Sequence, residues 1–171
     1  MIDKFLMVFP IFICTCLVVY VIGRYEDHKN KLLVERAGKL GYHLTCHSAH
    51  NSYLLGWDSN RGKIVYINET GHESMPVSEI ERAELLIDGK LAGMTSLTAL
   101  GAKVDIFDRE APNRASDIHV EILAKSKKAK DIRVSILSRF DNDDLYVYIS
   151  EAEDALKVVC RALDQRATPA S

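Results

Sequence analysis

The run over residues 5–23 constrains this chain most, because FLMVFPIFICTCLVVYVIG contains no charged side chain. At roughly 1.5 Å per residue, a helix of this length matches the ~30 Å hydrocarbon thickness of a bilayer. We therefore predict a transmembrane helix here, within a membrane anchor over residues 1–24.

A cleaved signal peptide is the competing interpretation of this run. It needs a basic start, a shorter apolar core and small residues at the cleavage site. Only Lys4 supplies positive charge before the core, and residues 20–23 offer no small-residue site. The composition favours an anchor that stays in the protein.

Basic residues are more frequent after the apolar run than before it. Lys4 alone stands on the N-terminal side, whereas five basic residues follow closely on the other: Arg24, Lys29, Lys31, Arg36 and Lys39. By the positive-inside rule, the N-terminus faces out and the C-terminal domain is cytoplasmic. We predict a single-pass protein of a bacterial inner (plasma) membrane.

Residues 25–50 are predicted to form a juxtamembrane helix and a linker. Leu33, Ala37 and Leu40 fall on one stripe at helical spacing, and Gly41 is placed as a helix stop. The stripe is short, so weak packing on the domain or on the lipid surface is expected. Residues 43–51 are expected to be a bridge into the globular part.

A globular domain is predicted over residues 51–166, and it begins with a hairpin. Residues 52–57 and 63–68 are rich in β-branched and aromatic side chains and flank a polar five-residue loop. Pro76 opens a short helical turn, and residues 82–87 form a strand that stops at the turn pair Asp88-Gly89.

The second half of the domain is predicted to contain another hairpin. Residues 117–124 and 132–137 alternate apolar and polar side chains and are joined by a lysine-rich turn. Residues 103–107 form a further strand, residues 90–102 an irregular connection with a weak strand, and residues 145–149 a last short strand.

A C-terminal helix is the most strongly marked element. Ser150 is a candidate cap with Glu153 completing a capping box, and apolar residues recur on one face up to Leu163. Residues 167–171 are predicted to be a disordered tail. The fold class is α+β: an N-terminal transmembrane helix and a mostly antiparallel sandwich or barrel capped by the last helix.

Three stretches carry a resemblance to a known group: GWDSNRGKIVYI, MPVSEIERAELLIDG and YVYISEAEDALKVVCRAL. Together they resemble uncharacterised bacterial membrane-tethered proteins with a pleckstrin-homology-like (PH-like) domain. The resemblance implies a bent sandwich closed by its last helix and an interaction role, and it supplies no catalytic residues.

The lysine-rich turn is a candidate surface for a lipid or a protein partner, through Lys125, Lys127, Lys128 and Lys130. Each lysine close to anionic headgroups is worth on the order of 1 kcal/mol. The alternative is a solvated turn whose lysines discourage pairing at a sheet edge.

A second candidate is a metal site formed by His43, Cys46, His47 and His50, since imidazole and thiolate are good transition-metal ligands. The alternative is a polar linker, because closed sites normally draw ligands from two separated pairs. This cluster underlies our alternative function, a metal-binding or redox-sensing membrane protein.

The rest of the sequence gives no support to several classes of function. No nucleotide-binding, hydrolase or metalloprotease motif occurs, and the net charge of -2 gives no reason to expect nucleic acid. Cys46 and Cys160 are predicted to be free thiols. We predict a non-enzymatic adaptor without a cofactor, whose PH-like domain binds a protein or a lipid surface and whose residues 5–23 contact the bilayer.

Overall fold

The protein is an α+β structure with two antiparallel sheets and a C-terminal helix. This computed structural model describes residues 2–50, 52–98, 101–107, 115–126, 129–137 and 145–167, with the backbone alone at residues 2–12, 22, 97, 98, 145, 166 and 167. The elements are α1 (Ile2–Lys39), β1 (Cys46–His50), β2 (Tyr53–Asp58), β3 (Lys63–Asn68), β4 (His72–Pro76), a 3₁₀ turn (Val77–Glu79), β5 (Ile80–Ile87), β6 (Lys90–Thr98), β7 (Gly101–Ile106), β8 (Ile118–Ala124), β9 (Ile132–Leu137) and α2 (Leu145–Ala167).

The N-terminal helix α1 has two different halves. Every described side chain from residue 13 to residue 28 is exposed, so this half projects from the domain. The predicted transmembrane run over residues 5–23 lies within it. In the described part of the chain, no helix meets the length and apolarity that crossing a membrane requires.

The C-terminal part of α1 belongs to the domain. Leu33 and Ala37 are buried against the sheet, where weak packing was expected. The helix stops as predicted at Gly41, which has a φ of 79°. The amide of Tyr42 donates to the carbonyl of Ala37, and the amide of Gly41 donates to that of Gly38, which is a Schellman motif.

Sheet A has the order β1-β2-β3-β4, and its central strands β2 and β3 are buried on both faces. Tyr53 and Leu55 face the main core, whereas Leu54, Val65 and Ile67 face α1. All six residues of β2 are therefore buried, which explains why its sequence shows no alternation. The predicted hairpin between β2 and β3 is confirmed, with Asp58 opposite Lys63.

Sheet B, in the order β7-β6-β5-β8-β9, is centred on β5. Its inner face alternates in the predicted way, with Val120 and Val134 buried opposite each other. The predicted turn at Asp88-Gly89 joins β5 to β6, and φ values of 48° and 76° fit a type I′ hairpin. The Asp88 carboxylate also accepts hydrogen bonds from the Ser116 amide and hydroxyl and from the Asp117 amide.

Residues 90–102 are more regular than the predicted irregular connection with a weak strand, because β6 is a nine-residue strand. Its pairing with β5 shifts between Leu85 and Leu86. Beyond the shift, the Thr95 hydroxyl accepts a 2.8 Å hydrogen bond from the Ala83 amide and so satisfies a backbone donor. A Cβ at Gly93 would lie 2.8 Å from Cδ1 of Ile106 and 3.1 Å from the carbonyl oxygen of Asp105, so the Ile106 side chain would have to move.

The C-terminal helix α2 packs between the inner faces of the two sheets. It begins at Leu145, so the predicted short strand over residues 145–149 and the cap at Ser150 are wrong. Tyr146 and Val147 are exposed while Ile149 and Ala152 are buried, as helical spacing requires. Ala155, Leu156 and Val159 extend the buried stripe, which confirms the amphipathic helix.

The part of the chain expected as a linker contains a strand, β1, paired with β2. Strand β4 was also missed, and it forms the second edge of sheet A. The helical turn after Pro76 and the strands at residues 82–87, 103–107, 117–124 and 132–137 are confirmed. Residues 168–171 of the predicted tail lie outside the described residues.

Candidate functional site

An open groove of about 530 Å³ lies between one end of sheet A and the edge of sheet B. One wall is the β3–β4 turn with the start of β4, and the other is the beginning of β9. The residues that line it are mostly of polar or charged type: Tyr66, Asn68, Thr70, Gly71, His72, Glu73, Lys130, Asp131, Arg133 and Ser135.

The β3–β4 turn is held by the side chain of Asn68. Its Oδ1 accepts hydrogen bonds from the Thr70 amide at 3.0 Å, the Thr70 hydroxyl at 2.9 Å and the Gly71 amide at 2.8 Å. The main-chain N–H of Asn68 donates to the Gly71 carbonyl and closes the turn. Asn side chains favour such turns because they replace a backbone partner.

The turn separates the groove from α1. The Arg36 guanidinium donates from Nη1 to the carbonyl of Asn68 at 2.6 Å and to that of Glu69 at 3.4 Å. Just after the C-terminal end of α1, the Tyr42 ring centre lies 5.1 Å from the guanidinium carbon of Arg61, which is in the β2–β3 loop at the opposite end of sheet A. The helix therefore runs along sheet A, and its projecting half leaves the domain on the side of the β3–β4 turn.

The β9 wall places Asp131, Arg133 and Ser135 on one side of the chain, since side chains alternate along a strand. Asp131 Oδ1 accepts a 2.7 Å hydrogen bond from the Ala124 amide and closes the β8–β9 hairpin. Arg133 Nη2 donates to Asp117 Oδ2 at 2.8 Å.

A buried histidine stands behind Arg133. His119 is only 4% exposed, and its Nδ1 lies 3.1 Å from Arg133 Nη2 and 3.0 Å from Asp117 Oδ2. Its Nε2 lies 3.4 Å from Glu121 Oε1. Buried polar groups need such partners, so this network holds the guanidinium at the groove wall. The alternation of Asp117, His119 and Glu121 is visible in the sequence but was not singled out.

An ion pair links the start of β9 to sheet A. Lys130, just before β9, bonds through Nζ to the Glu73 carboxylate on β4. Lys130 is 80% exposed, so this pair contributes little to stability. With Arg133 and Asp131, the groove carries two cations and two carboxylates. The formal charges of these four side chains cancel.

The structure brings only part of the predicted lysine surface to this groove. Lys130 lines it, whereas Lys125 points to the 3₁₀ turn and donates to the Ser78 carbonyl at 3.1 Å. Lys127 and Lys128 lie outside the described residues. The wall that β4 and the β3–β4 turn provide was missed, because their sequence has no apolar alternation.

The predicted metal ligands are distributed over two faces of β1. Cys46 packs against the main core, and His50 on the same face has its Nδ1 3.3 Å from Glu151 Oε1. His47 is exposed on the opposite face, and His43 precedes the strand. Among the described residues, which include all four, no three His, Cys, Asp or Glu side chains are placed to hold a metal.

The metal-binding or redox-sensing alternative stays a prediction. Elemental analysis tests it: stoichiometric metal that is lost on His47→Ala and His50→Ala would support this alternative. Cys46 and Cys160 are free thiols, as predicted. Burial raises the pKa of both thiols; Arg161 offsets the shift only partly at Cys46, and Asp164 adds to it at Cys160. Neither environment favours the reactive thiolate.

Tyr53 is a buried polar side chain where β1, β2 and α2 meet. The Tyr53 ring is 5.7 Å from the His50 ring, and burial together with the nearby Glu151 carboxylate raises the pKa of the Tyr53 phenol. Tyr53 is 1% exposed and Ser48 6%. This environment keeps the phenol neutral, so it is a structural group of the core.

Comparison with known proteins finds no match: no family model, no curated protein and no solved structure is significantly similar to this chain.

Proposed function

We propose that this protein is a single-pass membrane protein whose C-terminal domain is a non-enzymatic binding module. The observation that carries the proposal is the projecting half of α1. Val19, Tyr20 and Val21 are 65%, 59% and 61% exposed, although they are large hydrophobic residues. Exposed apolar surface of this extent is typical of a membrane or partner contact.

The residues that follow the apolar run support a membrane contact over a protein contact. The Arg24 guanidinium carbon lies 5.5 Å from the Tyr20 ring centre, and Lys29 Nζ lies 5.0 Å from the Tyr25 ring centre. Tyrosine and long basic side chains are enriched where a helix leaves the bilayer. The basic flank also favours the orientation with the domain in the cytoplasm.

The architecture of the domain is compatible with a PH-like fold. A four-stranded and a five-stranded sheet enclose a core that the C-terminal helix closes. Sheet B is not a simple meander, since β5 lies between β6 and β8. Binding domains commonly bind their ligands at loops and sheet edges. Among the described residues, the groove between β4 and β9 is a feature of this kind. A protein or a lipid surface is the proposed partner.

Membrane fractionation of the native host tests the anchor. We expect the full chain in the membrane fraction after an alkaline carbonate wash, and loss of this retention in a Leu17→Asp/Val19→Asp variant. Tyr146→Asp is the matched control, because Tyr146 is 71% exposed but lies on α2. Full release of the unaltered chain by carbonate contradicts the proposal.

Reporter fusions test the orientation. A C-terminal fusion is expected to be active only with a reporter that works in the cytoplasm. Activity only with a reporter that works outside the cytoplasm would overturn the proposed topology while leaving the anchor intact.

A further inference from the structure

The groove is close to the point where α1 leaves the domain. Arg36 contacts the β3–β4 turn, and Asn68 and Thr70 of the same turn line the groove. Between Tyr25 and Arg36 the helix covers roughly 16 Å at 1.5 Å per residue. If α1 is the membrane anchor proposed above, the groove is held near the lipid headgroups.

The groove carries charges of both signs. Asp131 immediately precedes β9 and Arg133 is the second residue of that strand, so their Cα atoms are about 6.7 Å apart if the chain is extended. Glu73 and Lys130 repeat the combination between the two walls. A polyanionic ligand would meet two carboxylates here, and a simple cation would meet two positive charges. The balanced lining favours a ligand that carries both signs.

The charged groups have capacity left for a ligand. Arg133 uses Nη2 for Asp117 and His119, and no contact among the described residues uses its Nη1. Asp131 accepts from Ala124 through Oδ1, and within the described part of the chain its Oδ2 has no hydrogen bond. The exposed pair between Lys130 and Glu73 can open at little cost because solvent screens it.

We infer that the groove binds a compact zwitterion, an anionic phosphate beside a primary ammonium, supplied as the ethanolamine headgroup of a membrane lipid. The phosphate accepts hydrogen bonds from Arg133 and Lys130, and the ammonium donates to Asp131 and Glu73. Such charge-assisted bonds are the stronger class of hydrogen bond. A choline headgroup has no N–H to donate, and a glycerol headgroup has no positive charge. The lipid source rests on the proposed membrane anchor.

Native mass spectrometry of the full chain in detergent tests this inference with short-chain lipids. Phosphatidylethanolamine is expected to bind about tenfold more tightly than phosphatidylcholine or phosphatidylglycerol. Asp131→Asn keeps an oxygen for the Ala124 amide and removes the charge. It is expected to weaken ethanolamine-lipid binding about tenfold, and glycerol-lipid binding is expected to stay the same or to tighten, because one carboxylate that repels the phosphate is gone.

Asp105→Asn is the matched control, because Asp105 is a carboxylate on β7 paired with Lys103, away from the groove. Its lipid binding is expected to equal that of the unaltered chain. Equal binding of all three lipids, as expected if the groove serves a protein partner, overturns the inference. Tightest binding of the glycerol lipid also overturns it, and free phosphoethanolamine that binds as tightly as the short-chain lipid overturns the lipid source. These outcomes are independent of membrane fractionation, so the two proposals fail separately.

Discussion

The two sheets differ in what covers their outer faces. On sheet A, Leu54, Val65 and Ile67 are fully buried beneath α1. On sheet B, the outer face carries Glu84 and Glu121 directly opposite each other. Like charges in this position are destabilising, and Arg82, 2.6 Å from Glu84, supplies compensating charge. The difference shows that the end of α1 is a structural layer of the domain, whereas sheet B needs no such layer.

The sharpest test of this comparison is Ala37→Asp. Ala37 is 1% exposed between α1 and sheet A, so the variant buries a carboxylate without a partner. We expect the free energy of unfolding to fall by about 4 kcal/mol. Urea unfolding of the full chain in mild detergent, followed by Trp57 fluorescence, measures it.

Leu32→Asp is the control on the same helix, because Leu32 is 49% exposed. A change below about 0.5 kcal/mol is expected there. Similar losses for the two variants would mean that α1 does not form a buried layer.

The second test compares the two outer faces directly. Ile67→Ala removes a fully buried side chain beneath α1 and is expected to lower the free energy of unfolding by about 3 kcal/mol. Leu86→Ala on the outer face of sheet B removes a side chain that is only partly buried, and about 1 kcal/mol is expected. Chemical denaturation of both variants gives the difference, and equal losses would contradict the asymmetry.

A smaller effect is expected at Arg36, which ties α1 to the β3–β4 turn. Arg36→Met keeps most of the apolar stem and removes the two hydrogen bonds to Asn68 and Glu69. We expect a loss of about 1.5 kcal/mol in the free energy of unfolding. Lys39→Met, on an exposed position of the same helix, provides the control. Unchanged stability in Arg36→Met would show that apolar packing alone fixes the helix.

The smallest expected effect concerns the pH dependence of stability, and it involves Asp88 in the β5–β6 turn of sheet B. The hydrogen bonds from Ser116, first its hydroxyl and then its amide, hold the pKa of Asp88 below its ordinary value. The stabilisation is complete above the ordinary pKa of an aspartate and is lost as the pH falls through the lowered native value.

Asp88→Asn removes this titration. The variant is expected to lose less stability than the unaltered chain on acidification below the ordinary aspartate range. Thermal unfolding at a series of acidic pH values measures the slope. Parallel slopes in the two proteins would exclude Asp88 as a contributor.

The elements that could be predicted from the sequence are those marked by turn residues or by alternating apolar and polar side chains. Turn residues fixed the hairpin of β2 and β3 and the reversal at Asp88-Gly89, and strict alternation fixed β8 and β9. These signals are contained in a few neighbouring residues, so no knowledge of the tertiary structure was needed.

The elements that were missed depend on contacts distant in the sequence. In β4, Met75 is the buried residue, and the strand exists because β3 pairs with it. The β-branched and aromatic residues at the start of α2 suit a strand equally well, and packing decides for a helix. For the same reason Lys130 could be proposed as a surface residue, but its partner Glu73 and the groove between them could not.

Helix α1 is continuous from Ile2 to Lys39, so its length sets how the domain is rotated relative to the projecting half. A rigid helix turns by about 100° and advances by about 1.5 Å with each residue. Inserting a single residue between the projecting half and the packed part would therefore swing the domain around the helix axis with almost no change in its height. The number of residues in α1 therefore determines the direction in which the groove faces around the helix axis.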